Sequence, residues 1–207
     1  MEINYDELLN YTKELMTTNS RKIYYSFRDR YNHTLRVLKW AERLQEIEGG
    51  DLEVIRIAAI LHDVGWSDEI PHGTVSKQIA DEYLSSIKYD SDKKEKILEA
   101  IENHSNRENA NGLCLESYII MDADILDEVG AISILWDAMA TMYQENPSYK
   151  MAYERIKKFT AEIKRKKDRL KTSAGKKFYE ERIKFIDQFL NELEFELNLK
   201  KLTVSDI

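Results

Sequence analysis

Four histidines, His33, His62, His72 and His104, and a set of aspartates that interrupt apolar runs are the residues here whose types and spacing could do chemistry. In the stretch AAILHDVGWSDEIPH, Ala58 to His72, two histidines and three acidic residues crowd the end of a segment that reads as a buried helix. A second stretch, IIMDADILDEVG, repeats the pattern, with Asp122, Asp124, Asp127 and Glu128 set into one of the most apolar parts of the chain. Helical phase aligns His33 with Val37, Ala41 and Leu44, His62 with Ile55, Ala58 and Ala59, and His104 with Ile97 and Ile101, so all three are expected to face the core. Any one of them alone reads as a satisfied core histidine; three together, with a carboxylate at Asp63, read as a shared task. Buried polar groups cost several kcal/mol, roughly 2–7 for an unpaired one, and Asp63 has no basic residue beside it in sequence. A metal ion would resolve that cost.

Imidazole nitrogens with carboxylate oxygens suit a borderline or moderately hard divalent ion: manganese, iron, cobalt, nickel or zinc. His62 and Asp63, adjacent on a helix, project about 100° apart, so both reach one ion only from a helix end, and Gly65 follows closely. Asp124 and Asp127, three residues apart, share a face. A capping or solvent role accounts for Asp122, or for Asp127 with Glu128; it accounts poorly for Asp124.

The elements that must position these groups are helices. Seven glycines and two prolines in 207 residues leave few breakers, 43% of residues are hydrophobic and a third are charged, which is the composition of an all-α protein able to bury a core. Helices are expected over residues 4–18, 29–48 (stopped by Gly49-Gly50), from the cap Asp51 to about Gly65, and over 74–87 after a loop Ile70-Pro71-His72-Gly73. Asp90 caps the next, to about Asn103. A polar loop, SNRENANG, precedes an apolar stretch from Leu113 to Met142 that Gly130 divides, and two long charged helices follow over 148–171 and 174–199.

The lone Cys114 excludes an internal disulfide and suits a reducing compartment, so a cytoplasmic location is expected. No secretory pattern opens the chain and no apolar run approaches the ~20 residues of a membrane helix. The net charge of −7 is uneven: Lys150 to Lys177 holds twelve Lys/Arg against three Asp/Glu, or +9. That region reads as a solvated helix face, or else as a surface for an anionic partner. It lacks the aromatic interleaving of a nucleic-acid binder.

Taken in order, RYNHTLRVLKWAERL, AAILHDVGW, ENHS and DADILDEVGAISI resemble the HD-domain superfamily of metal-dependent phosphohydrolases, whose signature is H…HD…D. The resemblance spans Arg30 to about Ala140. It implies a single HD-type helical domain over 1–207, a bundle with its signature core at about 28–145 and a C-terminal pair of long helices over 148–199. It also implies an ion, one of Mn, Co, Fe, Ni, Mg or Zn, held by His33, His62, Asp63 and Asp124, the four that periodicity singles out. His72 and His104 correspond to two histidines that bind a second metal in some members and contact phosphate in others. The DADxLD form followed by Gly-Ala resembles small bacterial members associated with nucleotide hydrolysis. The guanosine tetraphosphate branch carries an acidic pair after HD, where this chain has Gly65 and Trp66.

The expected activity is hydrolysis of a phosphate ester or anhydride, of a nucleoside triphosphate or related nucleotide, by metal-activated water. Arg36, on nearly the face of His33, is expected to offset phosphoryl charge together with Arg28 and Arg30, and Lys77 is a further phosphate candidate. Surface pairing is the alternative for each of these. Asp127 is expected to orient a ligand histidine or accept a proton, with Asp63 at the reacting centre and Asp68 and Glu69 as loop alternatives. Trp66, Tyr31, Trp136 and Tyr143 read as core aromatics or as base-stacking groups. Two other classes stay open: a paired-iron oxygenase using six His/Asp ligands, and a regulatory module that binds metal without turnover. The apolar faces of the last helices leave room for a homodimer.

Overall fold

A computed structural model describes residues 3–18, 25, 27–108 and 110–199. Among them there is no strand, and the helices run α1 Tyr5–Thr18, α2 Arg30–Glu48, α3 Leu52–Leu61, α4 His72–Ser86, α5 Ser91–Asn103, α6 Leu115–Asp127, α7 Ala131–Thr141, α8 Tyr149–Lys164 and α9 Ser173–Glu196. The protein is all-α. No described helix is long and apolar enough to cross a membrane. The chain forms two compact units divided between Asp127 and Glu128, with Arg169–Lys176 belonging to the first.

Local chemistry sets the boundaries. Asp29 caps α2 by accepting from the Asn32 backbone N–H at 3.0 Å, and α2 ends where Gly49, at φ +84°, returns its N–H to the Gln45 carbonyl. Asp51 caps α3 through the N–H groups of Glu53 and Val54, and Asp90 caps α5 through that of Lys93. In the first unit α3 packs against α2 and α5, and α6 against α2 and α5. Ile55, Ile57, Ile60 and Leu61 of α3 meet there with Leu44, Ile97, Ile101, Ile119 and Ile120, all essentially excluded from water. Each such side chain is worth about 1.5–3 kcal/mol of burial. α3 is buried nearly all round, as its composition requires, with Arg56 turned out to Glu42 at 2.7 Å.

Three boundaries differ from the sequence-based expectation. α3 stops at Leu61, not near Gly65, because the chain turns to run against α4: the Gly65 N–H donates to Ser76 Oγ at 2.9 Å, and a Cβ on Gly65 would lie 2.4 Å from the Ser76 nitrogen. α4 starts at His72, so the expected loop residues His72 and Gly73 form its first turn, with Pro71 as N-cap. Here the glycine serves packing: a Cβ at Gly73 would stand 2.6 Å from the Glu102 carbonyl oxygen of α5. α8 ends at Lys164, where Lys164 to Lys167 would stack like charges along one more turn, and a short 3-10 turn at Lys167–Arg169 follows.

In the second unit, the basic face expected over 150–177 is largely solvent-exposed along α8. Asp137 is buried and pairs with Arg155 at 2.7 Å, and Tyr179 donates to the Ile163 carbonyl at 2.6 Å.

Candidate metal centre

His62 and His104 are built alike. Each sits at the C-cap of its helix, α3 and α5, where backbone carbonyls lack partners from a following turn. Each ring fills that vacancy by donating Nδ1–H to the carbonyl three residues back, His62 to Ala59 at 2.8 Å and His104 to Ile101 at 2.7 Å. That fixes both tautomers and leaves both Nε2 atoms as lone-pair donors pointing inward. The two rings stand 5.0 Å apart. His62 Nε2 is fully buried and has no hydrogen-bond partner among the described residues. An orphaned buried acceptor costs about 1–3 kcal/mol, and a cation is the partner an imidazole lone pair fits.

His33 arrives from the first turn of α2. Its Nε2 lies 3.3 Å from Asp124 Oδ1 and its Nδ1 lies 2.7 Å from Asp127 Oδ2, so the α6 pair three residues apart grips both ends of one ring. Arg36, one turn on, binds the same Asp127 carboxylate with both prongs of its guanidinium, Nε to Oδ1 at 2.7 Å and Nη2 to Oδ2 at 3.0 Å. Both oxygens of Asp127 are thus engaged, by three donors. His33, His62 and Asp124 each offer a ligand atom within 4.8 Å of the others, and Asp63, His72 and His104 form a second such group beside them. His72 Nε2 lies 2.9 Å from His104 Nε2 and 3.9 Å from Asp63 Oδ1. Two ring nitrogens at that distance need a proton or a cation between them. The Gly73 contact with Glu102 is what lets α4 bring His72 there.

Charge states suit a cation. Burial pushes His62 down and takes His104 to about 4, so both are neutral. Burial disfavours the charged carboxylates of Asp63 and Asp124, yet cationic neighbours outweigh it: Arg30 and His33 hold Asp63 below the usual carboxylate range, and hydrogen bonding and attraction from His33, with Arg107, do so for Asp124. Asp127 is held down against its burial by His33 and Arg36. Burial lowers His33, but its bonds to Asp124 and Asp127 raise it to about 10. A proton on His33 thus occupies the place between the carboxylates that an ion would take.

The other candidates are distributed as follows. Arg30 is buried and turned onto Asp63, with Nη2 at 3.2 Å from Oδ1, Nε at 3.3 Å from Oδ2 and a further bond from Nη2 to the Asp63 carbonyl. The carboxylate that has no basic neighbour in sequence finds one 33 residues away. Arg28 is exposed ahead of α2, and Lys77 pairs with Glu102 at 2.6 Å on α5. Asp68 and Glu69 are exposed, Tyr31 and Trp66 are half-buried in the first unit, and Trp136 and Tyr143 belong to the second. Asp122 is fully buried and serves as a cap: it accepts from the Lys171 N–H at 2.8 Å and from the Thr172 N–H and hydroxyl, each at 2.7 Å. Sequence reasoning missed Arg107, whose Nη2 binds Asp124 Oδ2. An arginine in a polar loop gives no periodic signal, and only its place three residues after His104 hints at the site.

Residues 30–128 match the family model of the HD domain, and that segment is an HD domain. It is 26% identical over 170 residues to the uncharacterized protein YpgQ of Bacillus subtilis, an overlap of 79% of this chain and 82% of that one. The crystal structure of YpgQ in complex with ADP aligns at a TM-score of 0.65 and 22% identity, covering 92% of this chain and 93% of that one. An HD-superfamily hydrolase of Bacillus thuringiensis aligns at 0.71 and 23% identity over 94% and 97% of the two chains. These superpositions show a shared fold over nearly the full length.

Proposed function

We propose that this protein is a metal-dependent phosphohydrolase that cleaves a phosphate ester or anhydride of a nucleotide. The observation that carries the reading is His62 Nε2, buried, without a hydrogen-bond partner among the described residues, and grouped with His33 and Asp124 in a cage of charged carboxylates and imidazoles. The ADP bound to the related YpgQ supports a nucleotide as ligand. His33, His62 and Asp124 are the ligands of a first ion, with Asp63 alongside; Asp63, His72 and His104 suit a second. When bound, such an ion lowers the pKa of a coordinated water toward about 7 and polarises a phosphoryl oxygen.

The chain's own residues do the rest. Asp127 acts through His33, fixing the ring and keeping its Nε2 toward Asp124; with its oxygens taken by His33 and Arg36 it is a positioning group, not a proton acceptor. Arg30 plays the same part for Asp63. Arg36 and Lys77, each about two-fifths exposed, and the exposed Arg28 are the cations available to an incoming phosphate.

A phosphate-release screen over nucleotides, with manganese, cobalt, magnesium or iron and with and without oxygen, tests the reading beside Asp63→Ala. Release that needs metal, proceeds anaerobically and disappears in the variant is expected; release surviving the substitution contradicts it. The six His/Asp ligands also suit a paired-iron oxygenase, whose mark would be oxygen consumption with iron and no phosphate release.

A further inference from the structure

Three arginines reach the carboxylates of the site, one apiece, and they differ in how fully their donors are used. The Nε–H and the nearer Nη2–H of a guanidinium point the same way, as a two-pronged fork matched to two oxygens. Arg36 fills both prongs with the two oxygens of Asp127, and Arg30 fills both with Asp63, leaving Nη1 as its one buried nitrogen without a partner. Arg107 fills only one. Its Nη2 binds Asp124 Oδ2, while the other oxygen of Asp124 is turned to His33; its Nε is buried and has no partner among the described residues. The open prong therefore lies beside Asp124, on the edge of the guanidinium that faces the proposed ligand cage.

We propose that Arg107 is a substrate-contacting residue of this site, its Nε–H donating to an anionic phosphoryl oxygen while its Nη2–H donates to the outer oxygen of Asp124. Three features of the arginine support this assignment. Its side chain is five-sixths buried, so an empty donor there is not compensated by bulk water. A carboxylate that used both prongs would have to rotate Oδ1 away from His33, which the His33–Asp124 contact opposes. An oxyanion next to Asp124 satisfies the prong without disturbing that contact. Charge agrees: Asp63, Asp124 and Asp127 are matched one to one by Arg30, Arg107 and Arg36, so the cage carries no surplus negative charge, and each divalent ion added makes it a receptor for a polyanion. The inference rests on the phosphohydrolase reading and assigns one of its phosphate contacts to a loop residue.

The test is calorimetric titration of inorganic phosphate into the manganese-loaded full chain, for the native protein, Arg107→Ala and Arg107→Lys, each with its manganese affinity measured first. Phosphate affinity is expected to fall about 10- to 100-fold in Arg107→Ala, the scale of a hydrogen bond to a charged group. Arg107→Lys retains a cation for Asp124 but cannot serve two acceptors through one rigid fork, so it should keep manganese within about threefold and still lose about 10-fold in phosphate affinity. Native-like phosphate affinity in the lysine variant, or phosphate failing to bind the manganese-loaded native protein, overturns the assignment. Failure of the native chain to bind manganese at all would instead strike the proposed function.

Discussion

Replacing Asp127 by asparagine changes one oxygen for an NH2 group, and its effect can be followed atom by atom. Asp127 accepts from His33 at 2.7 Å and from two Arg36 nitrogens at 2.7 and 3.0 Å. Asparagine has one acceptor oxygen. If that oxygen keeps the Arg36 Nε, the new NH2 stands where Oδ2 was and faces donors on both His33 Nδ1 and Arg36 Nη2. The imidazole relieves the conflict by giving up its Nδ1 proton and keeping the one on Nε2, beside Asp124, whereas in the native chain Asp127 holds the Nδ1 proton and leaves Nε2 free to exchange its own for a cation. A ligand nitrogen blocked by a proton must shed it before a cation binds, and loss of such an outer partner typically costs 10–100-fold in metal affinity, or about 1.4–2.7 kcal/mol. Manganese titration followed by the spin resonance of the free ion reads this directly, with circular dichroism to confirm an unchanged helix content. Manganese affinity within twofold of the native protein would refute the claim that Asp127 sets the His33 tautomer.

Other outcomes follow from the same geometry. The His33 pKa, raised to about 10 in the folded metal-free chain from an ordinary 6.5, means that its contribution to stability is complete below pH about 6.5 and is lost as pH rises through about 10. Urea unfolding of the chelated protein should show that decline, and manganese affinity should climb over the same window; a flat profile for both contradicts the competition between proton and cation. Gly73→Ala forces a methyl group to within 2.6 Å of the Glu102 carbonyl oxygen and should cost about 1–3 kcal/mol by thermal unfolding, with a native-like midpoint counting against the close approach of α4 to α5. Asp122→Ala leaves the Lys171 and Thr172 donors unsatisfied and should lose at least about 2 kcal/mol in urea, while its manganese affinity stays native; a selective loss of manganese would move Asp122 into the site.

The inward faces of His33, His62 and His104 are legible because each residue repeats the phase of its own helix, a property confined to about two turns of chain. The caps Asp51 and Asp90 are legible for the same reason: capping is local chemistry. What escapes is anything settled between elements. Arg30 reads as a phosphate-facing or surface-paired cation because nothing nearby reveals that it closes on Asp63, 33 residues on. Gly73 reads as a helix breaker, since its purpose, room for a carbonyl of α5, belongs to another helix. Asp122 and Asp124 differ in fate although two residues apart, one capping Thr172 and the other facing His33, and that choice depends on which face of α6 meets the rest of the chain.

Crystals of the protein soaked in manganese, with an anomalous difference map at the metal's absorption edge, test the whole account most directly. A peak within bonding distance of His33 Nε2, His62 Nε2 and a carboxylate oxygen of Asp124 is the expected result. A map with no peak among those side chains, while they still touch one another through protons alone, would leave the His62 nitrogen as a structural oddity and the proposed chemistry without its source.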